Sequence, residues 1–499
     1  MELTTGLQRP SSTVFQDRGP ADPDGGIRAL IALPIRDSAV LDDTIASLYD
    51  PASARFRRYL SVDDWVAQHG PTQDDVDVVT AWLNEGGLEV ARVSRNRLLL
   101  HVTGTVGAFD ATFATELHDF TKVEDPDFTT FGAPSPLFAP ADIANRLEAV
   151  VVADHPADTS PLPGEAGMIE SDPPPERPYL SVAKVARAYG LEPLAARGAT
   201  GRGITIGVVA GAGFKRNDVQ SFWQAQGIRR ADPVVIPTME ALSTRFTETT
   251  IDVEWAGGIA PGAELAVYAG PDAHETSLVY TFNAAIADGR AHVITDSFAH
   301  REDATPRAIS DQYHASARMA AALGMTVIAA GGDSGQPDVP SSSPLVTSVG
   351  GTVLQLDSAG NRTAESAWSR SGSGDSQRFA APPWQLAHVP SPMRAVSDVA
   401  VSAGPYWSYV FGQWKPLWGT SFGAPVVAAL IACINSDRRE AGEPVIGLFN
   451  ETVYRDAAVR ATFRDVISGE TSDHAASVGW DYPTGWGAPD AAALAEVMP

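Results

Sequence analysis

From Ile204 onward, short apolar runs alternate with helix-length segments, and this alternation constrains the fold more than any single motif. Candidate strands are Ile204 to Ala210, Ala263 to Tyr268, His292 to Ser297, Thr326 to Ala330 and Val346 to Leu354. Candidate helices include Ser277 to Asp288, Ser310 to Leu323 and Ser421 to Asn435. Strands that are apolar throughout, separated by helices, predict a parallel α/β sheet with helices on both faces. Ligands bind such sheets outside the carboxyl ends of the strands, so the residues just after each strand carry the most functional weight.

An acidic, proline-rich stretch, His155 to Pro178, precedes this region. Nothing in it repeats like an element with a buried face, and Pro173 to Pro175 favour an extended chain. It reads as an exposed linker over 156–178, open to proteolysis. The chain before it, 1–155, reads as a small α+β domain. A strand is expected over Arg28 to Ile35, helices over Asp63 to Gln68, Asp74 to Leu83 and Phe109 to Leu117, a hairpin over Leu88 to Val93 and Arg97 to Val102, and a closing strand over Leu147 to Val152. That order suits a ferredoxin-like sandwich. The chain after the linker, 179–499, holds the α/β domain.

With 61 acidic against 36 basic residues the formal charge is −25, which makes nucleic acid and anionic membranes poor partners. Composition is globular, and no run approaches the roughly 20 consecutive apolar residues of a membrane helix. The first residues show no basic region followed by an apolar run, so no secretory signal is visible. Cys433 is the only cysteine, expected as a packed thiol.

Four segments carry candidate chemistry. Gly419-Thr420-Ser421-Phe422-Gly423-Ala424-Pro425 places Ser421 at the start of an apolar helix, where a hydroxyl can face a cleft and the helix terminus favours developing negative charge. An N-cap serine without chemistry is the commoner role at such a position. A serine nucleophile needs a base. Of the histidines after the linker (His274, His292, His300, His314, His388 and His474), no motif singles one out. Glu248 and Asp252, four apart, fall on one face of a helix, where two carboxyls raise one another's pKa; a solvated acidic face is the plainer reading. Glu254 points elsewhere on that helix. Asp333 follows an apolar strand in Gly331-Gly332-Asp333-Ser334-Gly335; it can serve as a protonated donor to an oxyanion or as a turn residue. Near the C-terminus, Asp465 and Asp481 with glycine-rich backbone offer oxygen ligands of the kind Ca²⁺ prefers, or are simply turn aspartates.

In this order, the four segments resemble the sedolisin family of serine-carboxyl peptidases, including its kumamolisin-like members. The N-terminal region is similar to that family's activation prodomain, through Tyr59-Leu60-Ser61, Trp82-Leu83 and Gly104-Thr105-Val106. The resemblance implies a subtilisin-like catalytic domain, with Ser421 as nucleophile, Glu248 as general base, Asp252 orienting that base, and Asp333 in the oxyanion hole. It implies one structural Ca²⁺ on Asp465, Val466, Ser477, Gly479 and Asp481, where many members carry glycine at Ser477. It further implies peptide or protein substrates, an acidic optimum, secretion, a monomer, and a prodomain that covers the cleft until it cuts itself free in the linker.

Three positions depart from the family's pattern. Trp418 stands where a small residue is usual, Phe298-Ala299 replace Trp-Gly, and Ala210 stands where several members carry a glutamate. None removes a member of the triad. Two rival readings follow: a catalytically silent relative that keeps the fold as a binding module, and a hydrolase pairing Ser421 with a histidine at near-neutral pH.

Overall fold

The computed structural model describes residues 1, 3, 15–123, 129–152, 179–239 and 247–499. The expected linker, 156–178, lies outside the described residues.

Among the described residues, the sheet of the domain after the linker has eight strands. Its main path runs Arg362–Ala367, Thr347–Leu356, Thr326–Ala330, Val293–Asp296, Thr205–Ala210, Glu264–Ala269 and Val234–Pro237, and Val399–Ser402 adds to Thr347–Leu356. Arg362–Ala367 is antiparallel to its neighbour and the remaining pairs are parallel. The central strands Thr205–Ala210, Thr326–Ala330 and Val293–Asp296 are buried along their whole length because both faces of the sheet are covered. Ile206, Val208, Val293 and Ile328 pack with helices Thr247–Ile259 and Gly423–Glu440. Val209, Ile294, Val327 and Ala329 face the other way, onto helices Glu275–Ala287 and Arg307–Ala322.

Gly423–Glu440 is the central helix. It follows Ser421 after a single 3₁₀ turn, Thr420–Phe422, so the expected helix start at Ser421 moves to Gly423, and the Ser421 side chain makes no cap bond. A Cβ at Gly423 would stand 2.9 Å from Val349 Cγ1, so the glycine lets helix and sheet close up. With its lead-in turn this helix is long and apolar enough to cross a membrane, yet 89% of its apolar window is buried, as befits a core helix.

The N-terminal domain holds an antiparallel sheet in the order Glu89–Val93, Leu99–Thr105, Gly26–Ala32, Ala149–Val152. That is the strand order of a ferredoxin-like sandwich. Ile27, Ala29, Ile31, Leu100 and Val102 pack on its own helices Gln73–Glu85 and Val106–Phe113. The last of these was expected over Phe109 to Leu117; it ends at Phe113 because the chain turns left-handed at Ala114 and then pairs as the strand His118–Lys122. Leu30, Ala32, Leu99, Ala149 and Val151 alternate to the opposite face and share a core with Phe282, Tyr313, Ala317 and Met319 of the catalytic domain. The docking surface is therefore the second face of this sheet together with helix Ser38–Tyr49, which sequence periodicity did not single out.

Candidate active site

The site forms where the strand connections diverge. The strand Thr205–Ala210 leads to one side of the sheet and Val293–Asp296 to the other, and both end at the same rim. Such switch points open a crevice at the carboxyl ends of strands.

Helix Thr247–Ile259 brings Glu248 and Asp252 to that rim. Every residue of this helix is buried, so its acidic groups are not a solvated face. Ser421 is 8% exposed, and its side chain is close enough to Glu248 to favour the ionised form of that carboxyl. The Ser297 hydroxyl, one residue past the end of Val293–Asp296, donates to Asp252 Oδ1 at 2.7 Å and reaches the Ser421 carbonyl oxygen at 3.1 Å. The expected hydrogen bond between Glu248 and Asp252 is absent among the described bonds. Glu248 Oε1 and Asp252 Oδ2 are both buried without a donor, because two carboxylates can bond only through a shared proton. Burial, then the Asp252 charge, pushes Glu248 well above the usual carboxylate range; the Ser421 side chain pulls the other way, and Asp333 and Asp296 add to the rise. Asp252 is also raised by burial and by Asp296, against the Ser297 bond.

Asp333 stands three residues beyond the strand Thr326–Ala330. The backbone N–H and hydroxyl of Thr420 both donate to its Oδ1, at 2.8 and 2.7 Å. Gly332 N–H donates to the same hydroxyl at 3.1 Å. A Cβ at Gly419 would stand 2.9 Å from Asp333 Oδ2, which explains the glycine before the Thr-Ser pair. Asp333 is thus tied to the residue preceding Ser421. Burial raises its pKa, while the Thr420 bonds and the Arg370 charge hold that rise down. Arg370 Nε donates to the Asp333 carbonyl at 2.9 Å, and its guanidinium lies over Trp368.

The histidines are engaged elsewhere. His274 pairs with Asp272, His292 accepts from the Thr205 N–H, His314 bonds Ser343, His388 bonds the Tyr454 carbonyl, and His474 stacks on Tyr482. Glu254 accepts from the Tyr409 N–H, away from Ser421. Among the departures, Trp418 stacks on Trp368 with ring centroids 6.5 Å apart and lies over Gly404. Phe298 is a buried core residue, and Ala210 is wholly buried at its strand end.

The C-terminal loop gathers the expected calcium residues. Asp481 Oδ2 accepts from Ser477 N–H and its Oδ1 from Thr484, while Asp465 Oδ2 accepts from Gly479 N–H, each at 2.8 Å. Asp481 is pushed up to about 6, by burial first and also by the Asp465 charge. Two carboxyls, the buried Asp481 and the exposed Asp465, amid backbone oxygens fit a hard dication. No group of three or more His, Cys, Asp or Glu side chains gathers among the described residues, so backbone oxygens would complete the shell.

Sequence reasoning missed Ser297, Thr420 and Asp296 as parts of the site. The signal for Asp296 was present: a carboxylate closing an otherwise uncharged strand of a sheet buried on both faces.

Residues 13–155 match the family described as Pro-kumamolisin, activation domain, and residues 246–487 match the Subtilase family. Kumamolisin from Bacillus sp. (strain MN-32) is 29% identical, over 98% of this chain and 94% of its own length. Sedolisin from Pseudomonas sp. (strain 101) is 28% identical, over 93% and 86%. Tripeptidyl-peptidase 1 of Mus musculus is 25% identical, over 96% and 93%. Among solved structures, Pseudomonas sedolisin, a serine-carboxyl proteinase complexed with pseudo-iodotyrostatin, superposes with a TM-score of 0.57 at 25% identity, covering 64% of this chain and 98% of its own. The chain thus carries a Pro-kumamolisin-type activation domain in front of a subtilase-fold domain of a serine-type peptidase, with kumamolisin and sedolisin as relatives along nearly its whole length.

Proposed function

We propose that the chain is an acid-active serine-carboxyl endopeptidase made as a zymogen, with Ser421, Glu248, Asp252 and Asp333 as its working residues. The observation that carries this reading is the wholly buried carboxyl pair Glu248 and Asp252 beside Ser421, with the Ser297 hydroxyl bonding Asp252 and reaching the Ser421 carbonyl. Glu248 takes the Ser421 proton as Oγ attacks the scissile carbonyl carbon. Asp252, held by Ser297, keeps Glu248 in place. The carbonyl oxygen gains the negative charge and is met by the protonated Asp333 carboxyl and the Ser421 N–H. Glu248 passes its proton to the leaving amine, and water then resolves the acyl-enzyme with Glu248 again as base. An ionised Asp333 would repel the oxyanion, so activity belongs to acid.

The divisions proposed are a prodomain over 1–155, a processed linker over 156–178 and a catalytic domain over 179–499. Asp465, Asp481 and the backbone oxygens of Val466, Ser477 and Gly479 would hold a Ca²⁺ ion, which supplies stability to the folded loop. The prodomain acts as an intramolecular inhibitor, and peptides or proteins are the substrates.

The test holds full-length protein at about pH 4, near the carboxyl range, and follows its mass beside Ser421→Ala. Wild type should shorten by about one prodomain while the variant stays whole. Full-length wild type that persists in acid, with or without calcium, would overturn the zymogen reading.

A further inference from the structure

Two short segments meet beside Thr420 and hold each other through their main chains. One is the turn Gly331 to Gly335, which carries Asp333. The other is the connection Ser369 to Ser373, between the strands Arg362–Ala367 and Gly374–Ala380. Gly372 N–H donates to the Gly332 carbonyl at 2.8 Å, and Gly335 N–H donates to the Arg370 carbonyl at 3.2 Å. The Ser373 hydroxyl donates to the Gly335 carbonyl at 3.2 Å. A Cβ at Gly372 would strike the Gly331 carbonyl, so the two backbones touch. Arg370 adds a bond to Asp333 itself, from its Nε to the Asp333 carbonyl oxygen at 2.9 Å. Its half-buried guanidinium lies 6.0 Å from the Trp368 ring centroid, which holds the side chain in place. From the other side, Thr420 grips the Asp333 carboxyl through its N–H and hydroxyl. Three glycines in five residues leave the turn little stiffness of its own. The direction of the Asp333 side chain is therefore set by bonds from outside the turn.

We propose that Arg370 is a positioning residue of the reaction: its bond to the Asp333 main chain fixes the direction in which that carboxyl meets the oxyanion. The inference rests on the peptidase reading above. An oxyanion donor works only if it is aimed before the charge develops. A loosened turn loses that aim in the transition state while substrate still binds, so the loss falls on kcat more than on KM. The arginine also brings a charge. Burial raises the Asp333 carboxyl, the two Thr420 bonds oppose that rise, and the Arg370 cation opposes it further. Glu248 stands nearby on helix Thr247–Ile259, and Asp338 Oδ2 lies 2.5 Å from where a Cβ of Gly332 would be; the Asp333 charge acts on both. Asp473 and His474 flank the two segments, beside Gln336 and Gly374. Without the Arg370 cation the Asp333 carboxyl keeps its proton to higher pH. The neutral limb of activity then moves up.

The experiment measures kcat and KM against pH with a peptide substrate, on protein activated from the full chain, for wild type, Arg370→Ala and Arg370→Gln, each also combined with Asp333→Ala. Arg370→Ala should lower kcat at its own pH optimum by about tenfold, the size of one hydrogen bond, with KM little changed. Its neutral limb should move up by about half to one pH unit, less than the roughly 1–3 units of a carboxylate in direct contact with arginine. Glutamine carries an N–H donor at the same place along the side chain as arginine Nε, without the charge. Arg370→Gln should therefore recover most of the lost kcat and keep the raised limb, and it carries the test if the alanine variant folds poorly. With Asp333→Ala already in place, Arg370→Ala should cost little more, because the two act as a unit. Losses that multiply across the two sites, or a pH profile that superimposes on wild type after scaling, mean a merely structural role and overturn the proposal. A raised KM with kcat unchanged overturns it too, by making Arg370 a substrate contact. Activity retained by Glu248→Gln, or absent from wild type in acid, would instead overturn the peptidase reading. Arg370 is then judged by difference infrared titration of full-length Ser421→Ala, where Asp333→Asn identifies the Asp333 band. Arg370→Gln should raise the midpoint of that band by the same amount as the limb; an unmoved midpoint sinks the idea.

Discussion

The two faces of the catalytic sheet treat buried charge in opposite ways. On the face of the Ser421 helix, Glu248 and Asp252 sit wholly buried among hydroxyls and other carboxyls. On the face that receives the prodomain, carboxylates meet arginines. Arg28 pairs with Asp272 at 3.0 Å, and Arg318 pairs with Asp42 at 2.6 Å and also holds Ser38. Burial pushes Asp272 up, but His274, Ser277 and Arg28 outweigh it and hold it well below the usual range. Burial favours the protonated form of Glu248 and Asp252, while the partners of Asp272 favour its ionised form. The sign follows from linkage. A carboxyl raised by folding binds protons that the unfolded chain has lost, so its contribution to stability falls as pH rises from about 4. Asp272, lowered by folding, contributes fully above about pH 4 and loses that contribution only as pH falls further. The Arg28–Asp272 pair therefore outlasts the pH at which Glu248 and Asp252 take up their protons.

The largest break in this contrast lies at Asp333. Asp333→Ala removes the carboxyl donor and should lower kcat by about 10²–10³-fold with little change in KM. Asp333→Asn keeps a donor that needs no acid. It should recover part of that loss and extend activity toward neutral pH, because its amide donates whether or not protons are scarce. A neutral limb that stays in place in Asp333→Asn would remove Asp333 as its origin.

The docking face is tested by Arg28→Met, which leaves Asp272 to His274 and Ser277. The full chain, in a Ser421→Ala background, should lose about 1.5–3 kcal/mol at neutral pH, the range for a hydrogen bond to a charged group. Urea unfolding followed by tryptophan fluorescence measures it. With Ser421 intact, the same change should make prodomain loss in acid faster.

How much of this was legible depended on where each element's partner lies. Ser421, Glu248, Asp252 and Asp333 stood out because their segments combine chemistry with local punctuation: a glycine before Thr420, a four-residue carboxyl spacing, a glycine pair after a strand. The helix Ser38–Tyr49 did not, because its first turn lacks a side-chain cap and its apolar face, Leu41, Ile45 and Leu48, is completed by helix Arg307–Ala322 of the other domain. The strand Phe15–Pro20 was illegible for a similar reason. It is largely exposed and ends in Gly-Pro, and its order comes from pairing with His118–Lys122, far along the chain. The hold of Thr420 on Asp333 joins residues 87 positions apart, which no local pattern encodes.

Calcium offers a smaller effect, on neither face of the sheet. If Asp465 and Asp481 hold the ion, chelation should lower the melting temperature by several degrees, since an ion present at about 100 times its Kd adds about 2.7 kcal/mol. The fall should shrink in Asp465→Asn, and leave the pairs around Arg28 untouched. An identical melting curve with and without chelator would remove the ion from the loop.

The smallest effect concerns the wall of the cleft. Trp418 precedes Gly419 and lies flat against Trp368, whose neighbour Arg370 holds the Asp333 backbone. Its side chain is half-buried, so part of it stays open to solvent next to the Gly419-Thr420-Ser421 turn. Bulk there limits what flanks the scissile bond without touching the proton chemistry. Trp418→Gly should therefore raise kcat/KM for peptides with large flanking residues relative to small ones by about tenfold, the low end for a change in pocket size. The pH profile should stay where it is in wild type. Movement of that profile would mean that Trp418 acts through Asp333, and the wall would then belong to the proton-carrying face rather than beside it.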